Sequence, residues 1–264
     1  MKTIRFRTSV EMRSEKGPVR EKNEDFLGVL QAPYTRPGIE AVYVVADGLG
    51  GHERGEVASA MAVDLLLRAF RSQDAPVEPL PQTGLTSFLA DALVHINQVV
   101  YSAGLTGEAL HRDPYRAGMA TTLTAAVLAE DTIYLGHVGD SRAYLVREGK
   151  MSQLTEDHTL VAERVRRGLI SPQEARYLDR NVITQALGLD RPVSPFTDSV
   201  ALEQGDRLLL CSDGLHGFLE DEAIKAIIER RGREGVVDSL IEASIAEGST
   251  DNITAILVSF DSLF

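Results

Sequence analysis

Three apolar runs of this chain halt at an aspartate followed at once by a turn former: VVADG at Asp47, VGDS at Asp140 and LLLCSDG at Asp213. A fourth aspartate, Asp251 in STDNIT, stands at the opposite end of its run and opens it. One Asp-Gly after a strand is an ordinary turn. Four such sites constrain the fold further, because in antiparallel sheets the end of one strand lies beside the start of its neighbour. Such a chain can gather all four carboxylates at one rim.

The runs themselves read as strands. AVYVVA (41–46) is short, apolar and rich in branched residues, as a strand buried on both faces should be. Val57, Ala60, Met61, Val63, Leu65, Leu66 and Phe70 recur at helical spacing, which predicts a helix over 55–72. DAPVEPLPQTG breaks regular structure, and a second helix is expected from a cap at Thr86 or Ser87 to about Tyr101. TTLTAAVLA, TIYLGHV and RAYLVRE then read as a meander of antiparallel strands. In the polar stretch between Thr159 and Tyr177, SPQE offers Ser171 as cap, Pro172 at the first helical position and Glu174 at the capping-box position. DRLLLCSDG and NITAILVSF return to strands, with the amphipathic helices DEAIKAIIER and EGVVDSLIEASIAEG between them. Strands and helices are segregated, which indicates an α+β fold with antiparallel sheets. With 264 residues, 44% of them hydrophobic and 25% charged, the chain reads as a single globular domain, 1–264.

The net charge of −12 argues against a nucleic-acid partner, since phosphate backbones reward basic surfaces. No apolar run approaches a membrane span, and the single cysteine, Cys211, fits a reducing compartment, so a cytoplasmic protein is expected. Carboxylates crowded at one rim repel unless cations lie between them. An all-oxygen ligand set without His or Cys favours Mg²⁺ or Mn²⁺ over Zn²⁺. Gly48 allows its carbonyl to approach an ion with no side chain in the way. Upstream, in VREKNEDFLG, Arg20 precedes Glu24 and Asp25, and a guanidinium fork suits phosphate oxygens as well as a surface carboxylate.

VREKNED, VVADGLGGH, MATTLTAAVL, GHVGDSRAYLV, LTEDHTLVAE, NVITQALG, LLLCSDGL and DNITAILV resemble, in this order, the successive motifs of the bacterial type 2C, metal-dependent serine/threonine protein phosphatases. The likeness runs from about Val19 to Val258. It implies a four-layer αββα sandwich, two antiparallel sheets flanked by helices, with a two-metal centre in the cleft. On that pattern Asp47 bridges both ions, Gly48 gives its backbone oxygen, and Asp213 and Asp251 complete the pair. Asp140 with Asp213 matches the place of a third, weaker ion. Glu24 would hold a metal-bound water, Arg20 would grip the substrate phosphate, and Asp25, His52 and Asn252 would stand behind the ligands. The excursion over about 157–191 corresponds to the family's flap. The implied reaction is direct attack on a phosphoserine or phosphothreonine ester by a hydroxide shared between the ions. The implied partners are a bacterial serine/threonine kinase and its targets, met by a monomer.

Two positions depart from the pattern. Leu49 stands where some relatives carry a histidine proposed as general acid, which leaves His52 or a metal-bound water for that role. Ala120 replaces the usual glycine before the paired threonines. Other readings are weaker: GDSRA nearly matches a serine-hydrolase elbow at Ser141 but continues as β-structure, and CSDGLHG lacks the arginine that a cysteine phosphatase needs beside Cys211. A non-catalytic relative that keeps the fold and the ions is the rival from another class. Arg164, Arg166, Arg167, Arg176 and Arg180 in the flap read as a solvated helical face, with docking of acidic phosphopeptide flanks as the alternative.

Overall fold

The computed structural model describes residues 6–49, 54–72, 80–105, 118–175, 177–178, 182–230 and 234–262. AVYVVAD forms strand β3 (Ala41–Asp47), and its first six residues are buried on both faces, as their branched apolar character requires. Alternate side chains part company: Val42, Val44 and Ala46 join a core on one side, Ala41, Tyr43 and Val45 a core on the other. β3 lies in a sheet ordered β2 (Asp25–Gln31), β3, β4 (Leu123–Ala129), β5 (Thr132–Val138) and β8 (Phe196–Ala201). A second five-stranded sheet runs β1 (Phe6–Glu15), β10 (Ile253–Ser262), β9 (Arg207–Cys211), β6 (Arg142–Arg147), β7 (Lys150–Gln153). Neighbouring strands in both sheets are antiparallel.

Helices α1 (Gly55–Phe70) and α2 (Leu85–Gly104) cover the first sheet, and α6 (Asp221–Arg230) and α7 (Val236–Ala246) cover the second. Between these four layers lie three apolar cores: helix against sheet, sheet against sheet, sheet against helix. The expected αββα sandwich is therefore the observed architecture. Fully buried side chains such as Phe70, Leu66, Leu89 and Phe260 stabilise it by roughly 1.5–3 kcal/mol each, so the layers hold the rim and not the reverse. No helix among the described residues is long and apolar enough to cross a membrane.

Two expectations need correction. β4, β5 and β6 do not form one meander: β4 pairs with β5, but β6 belongs to the opposite sheet and pairs with β7 and β9. The chain crosses between sheets at Gly139, whose φ of +116° and closeness to Thr122 leave no room for a side chain, since a Cβ would sit 2.5 Å from the Thr122 Cβ. The second helix begins at Leu85 after a 3₁₀ turn, Gln82–Gly84, so Thr86 and Ser87 lie inside its first turn and neither caps it. Amphipathic edge strands such as β1 and β7 carry no continuous apolar run, which is why they escape a reading based on buried strands.

The polar stretch after Thr159 folds as two short helices, α3 (Leu160–Arg166) and α4 (Pro172–Ala175). The expected capping box is present: the Ser171 hydroxyl and N–H donate to Glu174 at 2.8 Å, and the Glu174 N–H returns a bond at 3.2 Å. This excursion closes on itself through a bridge between Thr159 and Ile183.

Candidate metal centre

The four aspartates come from four separate chain segments and meet at one cleft of about 640 Å³. Asp47 ends β3, Asp140 sits in the crossing turn between β5 and β6, Asp213 opens α5 (Asp213–His216), and Asp251 precedes β10. Arg20, Glu24, Gly48 and Leu49 line the same cleft. His52 lies outside the described residues, as do Arg176 and Arg180.

The backbone of Asp47 is fixed by the paired threonines at the head of β4. Its N–H donates to Thr122 Oγ1 at 2.9 Å, and its carbonyl accepts from Thr121 Oγ1 and from the Thr122 N–H, both at 2.8 Å. Gly48 is threaded between backbones: a Cβ there would lie 2.4 Å from the Gly55 carbonyl oxygen and 2.7 Å from that of Glu24. Asp25 faces Asp47 across the β2–β3 ladder and accepts from Ser212 Oγ at 2.7 Å. Asn252 organises the other side, accepting from the Glu24 N–H at 2.9 Å and donating to the Lys16 and Lys22 carbonyls at 2.8 and 2.9 Å. It thereby pins the segment that carries Arg20 and Glu24.

The electrostatics follow from burial and crowding. Burial, then the charges of Asp25, Asp213, Asp140 and Asp251, push the Asp47 carboxyl well above the usual carboxylate range. Burial raises Asp25 to about 7 and Asp140 to about 8, and burial with the Asp251 charge raises Asp213. Asp25 and Asp213 each stand within electrostatic reach of Asp47, a crowding of acids that a proton or a cation relieves. Arg20 instead donates to Asp251 Oδ2 at 2.7 Å.

These residues fit divalent cations. Asp25 Oδ1 and Asp213 Oδ1 are buried without a hydrogen-bond partner, the donor set is oxygen throughout, and the backbone at Gly48 is open to the cleft. Among the described residues no three acidic, histidine or cysteine side chains already surround one ion position.

Several residues that matter here carried no signal in the sequence on their own. Thr121 and Thr122 stood out only as part of a motif, and their grip on Asp47 depends on β4 lying beside β3. Ser141 is no exposed nucleophile: it is fully buried and shares a 2.8 Å hydrogen bond with Thr122 Oγ1. Cys211 is buried opposite Arg142 in the β6–β9 ladder, and burial pushes its thiol up, which disfavours the thiolate a nucleophile needs. Arg166 and Arg167 bond glutamates of their own excursion, Glu156 at 3.0 Å and Glu163 at 2.8 Å, in keeping with a solvated face.

Residues 22–249 match the family model described as Protein phosphatase 2C. The serine/threonine phosphatase stp of Listeria monocytogenes is 36% identical over 255 residues, covering 95% of each chain. The solved Stp1 of Staphylococcus aureus superposes with a TM-score of 0.85 at 31% identity, over 97% of this chain and 96% of that one. The catalytic domain of the phosphatase PstP, solved with two manganese ions, gives 0.77 at 32% identity, over 98% of this chain and 100% of that one. A match of this extent, on a sandwich of the expected architecture, shows that the chain belongs to the protein phosphatase 2C family and is a serine/threonine phosphatase.

Proposed function

We propose that the acidic rim is the catalytic centre and that it works with Mn²⁺ or Mg²⁺ on phosphoserine and phosphothreonine proteins. The observation that carries this reading is the convergence of Asp47, Asp140, Asp213 and Asp251 from four segments onto one cleft with Arg20 at its side. The manganese pair in the PstP domain supports the choice of ion. Asp47, Asp213, Asp251 and the Gly48 carbonyl are the groups that would hold the two principal ions, and Asp140 with Asp213 a further one. When bound, such ions acidify water and neutralise phosphate charge, so that hydrolysis needs no phosphoenzyme.

The chain's own residues supply the rest. Thr121 and Thr122 orient Asp47, and Asn252 orients the Glu24 backbone, so the acids are set before substrate arrives. Arg20 spends one N–H group on Asp251 and keeps the remainder of its five-donor fork for phosphate oxygens. Glu24, raised by burial and by the Glu56 charge, stands at the cleft wall to orient water. Leu49 has no proton to give a leaving group. His216, which also lines the cleft, already gives its Nε2 proton to the Asp140 carbonyl at 3.0 Å.

Such a hydrolase reverses a protein kinase, here a bacterial serine/threonine kinase and its targets in the cytoplasm. It would act as a monomer. The decisive experiment compares wild type with Asp47→Asn on phosphoserine, phosphothreonine and phosphotyrosine peptides, with Mn²⁺ and with chelator. Metal-dependent release from the first two, abolished by the substitution, is expected; full turnover by Asp47→Asn overturns the site.

A further inference from the structure

Two residues along the chain from Asp140, Arg142 enters a buried ion pair that the hydrolytic scheme does not use. Arg142 Nε and Nη2 donate to Asp157 at 2.9 and 2.7 Å, Arg142 Nη1 donates to Tyr144 Oη at 2.8 Å, and Gln153 Nε2 donates to Asp157 Oδ1 at 2.8 Å. The two side chains are only 16% and 13% exposed. Burial alone would raise the Asp157 carboxyl, yet Arg142 holds it below its ordinary value.

The pair is a partition. Arg142 and Asp157 line both the acidic cleft and a second cavity of about 490 Å³ under α3 and α4. Open space on either side leaves the pair to keep its shape by its own bonds. A fork-to-carboxylate contact does this with fixed direction, which an apolar contact cannot.

The connectivity gives the pair a task. Arg142 lies two residues after Asp140, and Asp157 one residue before His158. The His158 N–H donates to the Gly139 carbonyl at 2.7 Å, and the Gly139 N–H donates to His158 Nδ1 at 3.1 Å. Gly139 is covalently joined to Asp140, so these bonds close a ring: Asp140, Ser141, Arg142, the ion pair, Asp157, His158, Gly139 and back. The same His158 carbonyl accepts from the Thr184 N–H at 2.7 Å, where the 159–183 excursion returns. One side of the Asp140 turn is thus tied to the root of the excursion.

We propose that Arg142 and Asp157 are positioning residues that set the Asp140 turn for its cation and lock the root of the excursion to it. The proposal rests on the reading of Asp140 as a ligand. Three variants test it: Arg142→Lys, which keeps the charge and loses the fork; Asp157→Asn, which is nearly isosteric and serves if the first does not fold; and Asp140→Asn as reference. In chelator, hydrogen exchange at the Gly139, His158 and Thr184 amides should quicken about tenfold or more in both pair variants, with the β3 and β4 amides unchanged. By calorimetric Mn²⁺ titration, Asp140→Asn should lose the weakest class of ion, and both pair variants should weaken that class about tenfold or more and leave the tighter ions as in wild type. Their turnover should recover at high Mn²⁺ with little change in KM, which a general loss of stability would not produce. Wild-type exchange and isotherms in the pair variants, with an altered isotherm in Asp140→Asn, overturn the proposal alone. An unaltered isotherm in Asp140→Asn overturns the reading of Asp140 and the proposal together.

Discussion

The two walls of the cleft treat charge in opposite ways. On the deep wall, Asp25, Asp47, Asp140 and Asp213 crowd together, and burial with the charge of neighbouring acids, Asp251 among them, raises each of them. On the outer wall, Asp251 has a cation of the chain's own: it pairs with Arg20 at 2.7 Å, with the two side chains 28% and 41% exposed. The deep wall is therefore under electrostatic strain that only a proton or an added cation relieves, whereas the outer wall is already balanced. On the proposed function, the chain gives up stability where ions would bind and keeps a guanidinium where phosphate would arrive.

The sharpest way to break this contrast is to neutralise one acid on each wall. Asp47→Asn should reduce phosphatase activity by at least about a hundredfold. In chelator near pH 7 the same variant should gain stability, by about 1 kcal/mol or more. Each unit by which the fold raises a carboxyl above its unfolded value costs ~1.4 kcal/mol once the group ionises. Asp251→Asn should lose activity too, yet in chelator it should shift by less than about 1 kcal/mol, because the part-exposed ion pair it loses offsets the repulsion of Asp47 and Asp213 it relieves. Thermal melts in chelator beside activity assays in Mn²⁺ decide the matter; equal stabilisation in both variants would erase the distinction.

Arg20→Ala should raise KM for a phosphopeptide by about tenfold or more, the worth of a charged hydrogen bond, with a smaller effect on kcat. Arg20→Lys should recover only part of this, because an ammonium lacks the fork. Asp140→Asn should lower turnover by about tenfold while two ions remain bound, as read from activity beside ion stoichiometry.

Acid stability offers a smaller test away from the rim. Burial, then the nearby His158, lowers His137 to about 3, and its Nε2 is buried without a partner. Because the folded value lies below the unfolded one of about 6.5, the unfolded chain takes up the proton first as pH falls. Stability from this residue is therefore present above about pH 6.5 and is lost by ~1.4 kcal/mol per pH unit down to about 3. Denaturant titrations of wild type and His137→Gln should show that difference growing over this window and absent at pH 8. The smallest effect is expected on the excursion's surface: Arg166→Ala with Arg167→Ala should change stability by less than about 1 kcal/mol and act alike on a phosphopeptide and an aryl phosphate. A selective loss on the phosphopeptide would restore a docking role for those arginines.

Much of this was legible because it rests on short-range pattern. The strand AVYVVA, the capping box at Ser171 and Glu174, and the aspartates at strand ends are written in adjacent residues, and the family motifs that run through them are read in order along the chain. The hydroxyls that hold Asp47 and Asp25 were not legible as such. Thr122 and Ser212 sit in sequence where any buried strand end would accept a small residue, and only the neighbouring strand shows what they hold. The meander failed for a related reason. TIYLGHV and RAYLVRE look alike locally, and the sheet crossing at Gly139 depends on the Thr122 side chain that blocks any Cβ there.

Residue pattern by itself determined an α+β chain of antiparallel strands with aspartates at their ends, because periodicity and residue type survive in a linear string, while the αββα layering and the phosphatase activity were implied by the resemblance of its ordered motifs to the type 2C family. Only the tertiary structure decided which acids press on one another, which one Arg20 answers, and how Asp140 is tied to the excursion through Arg142 and Asp157. Those depend on burial and on distances between segments from 15 to 231 residues apart along the chain, and electrostatic energy varies with both.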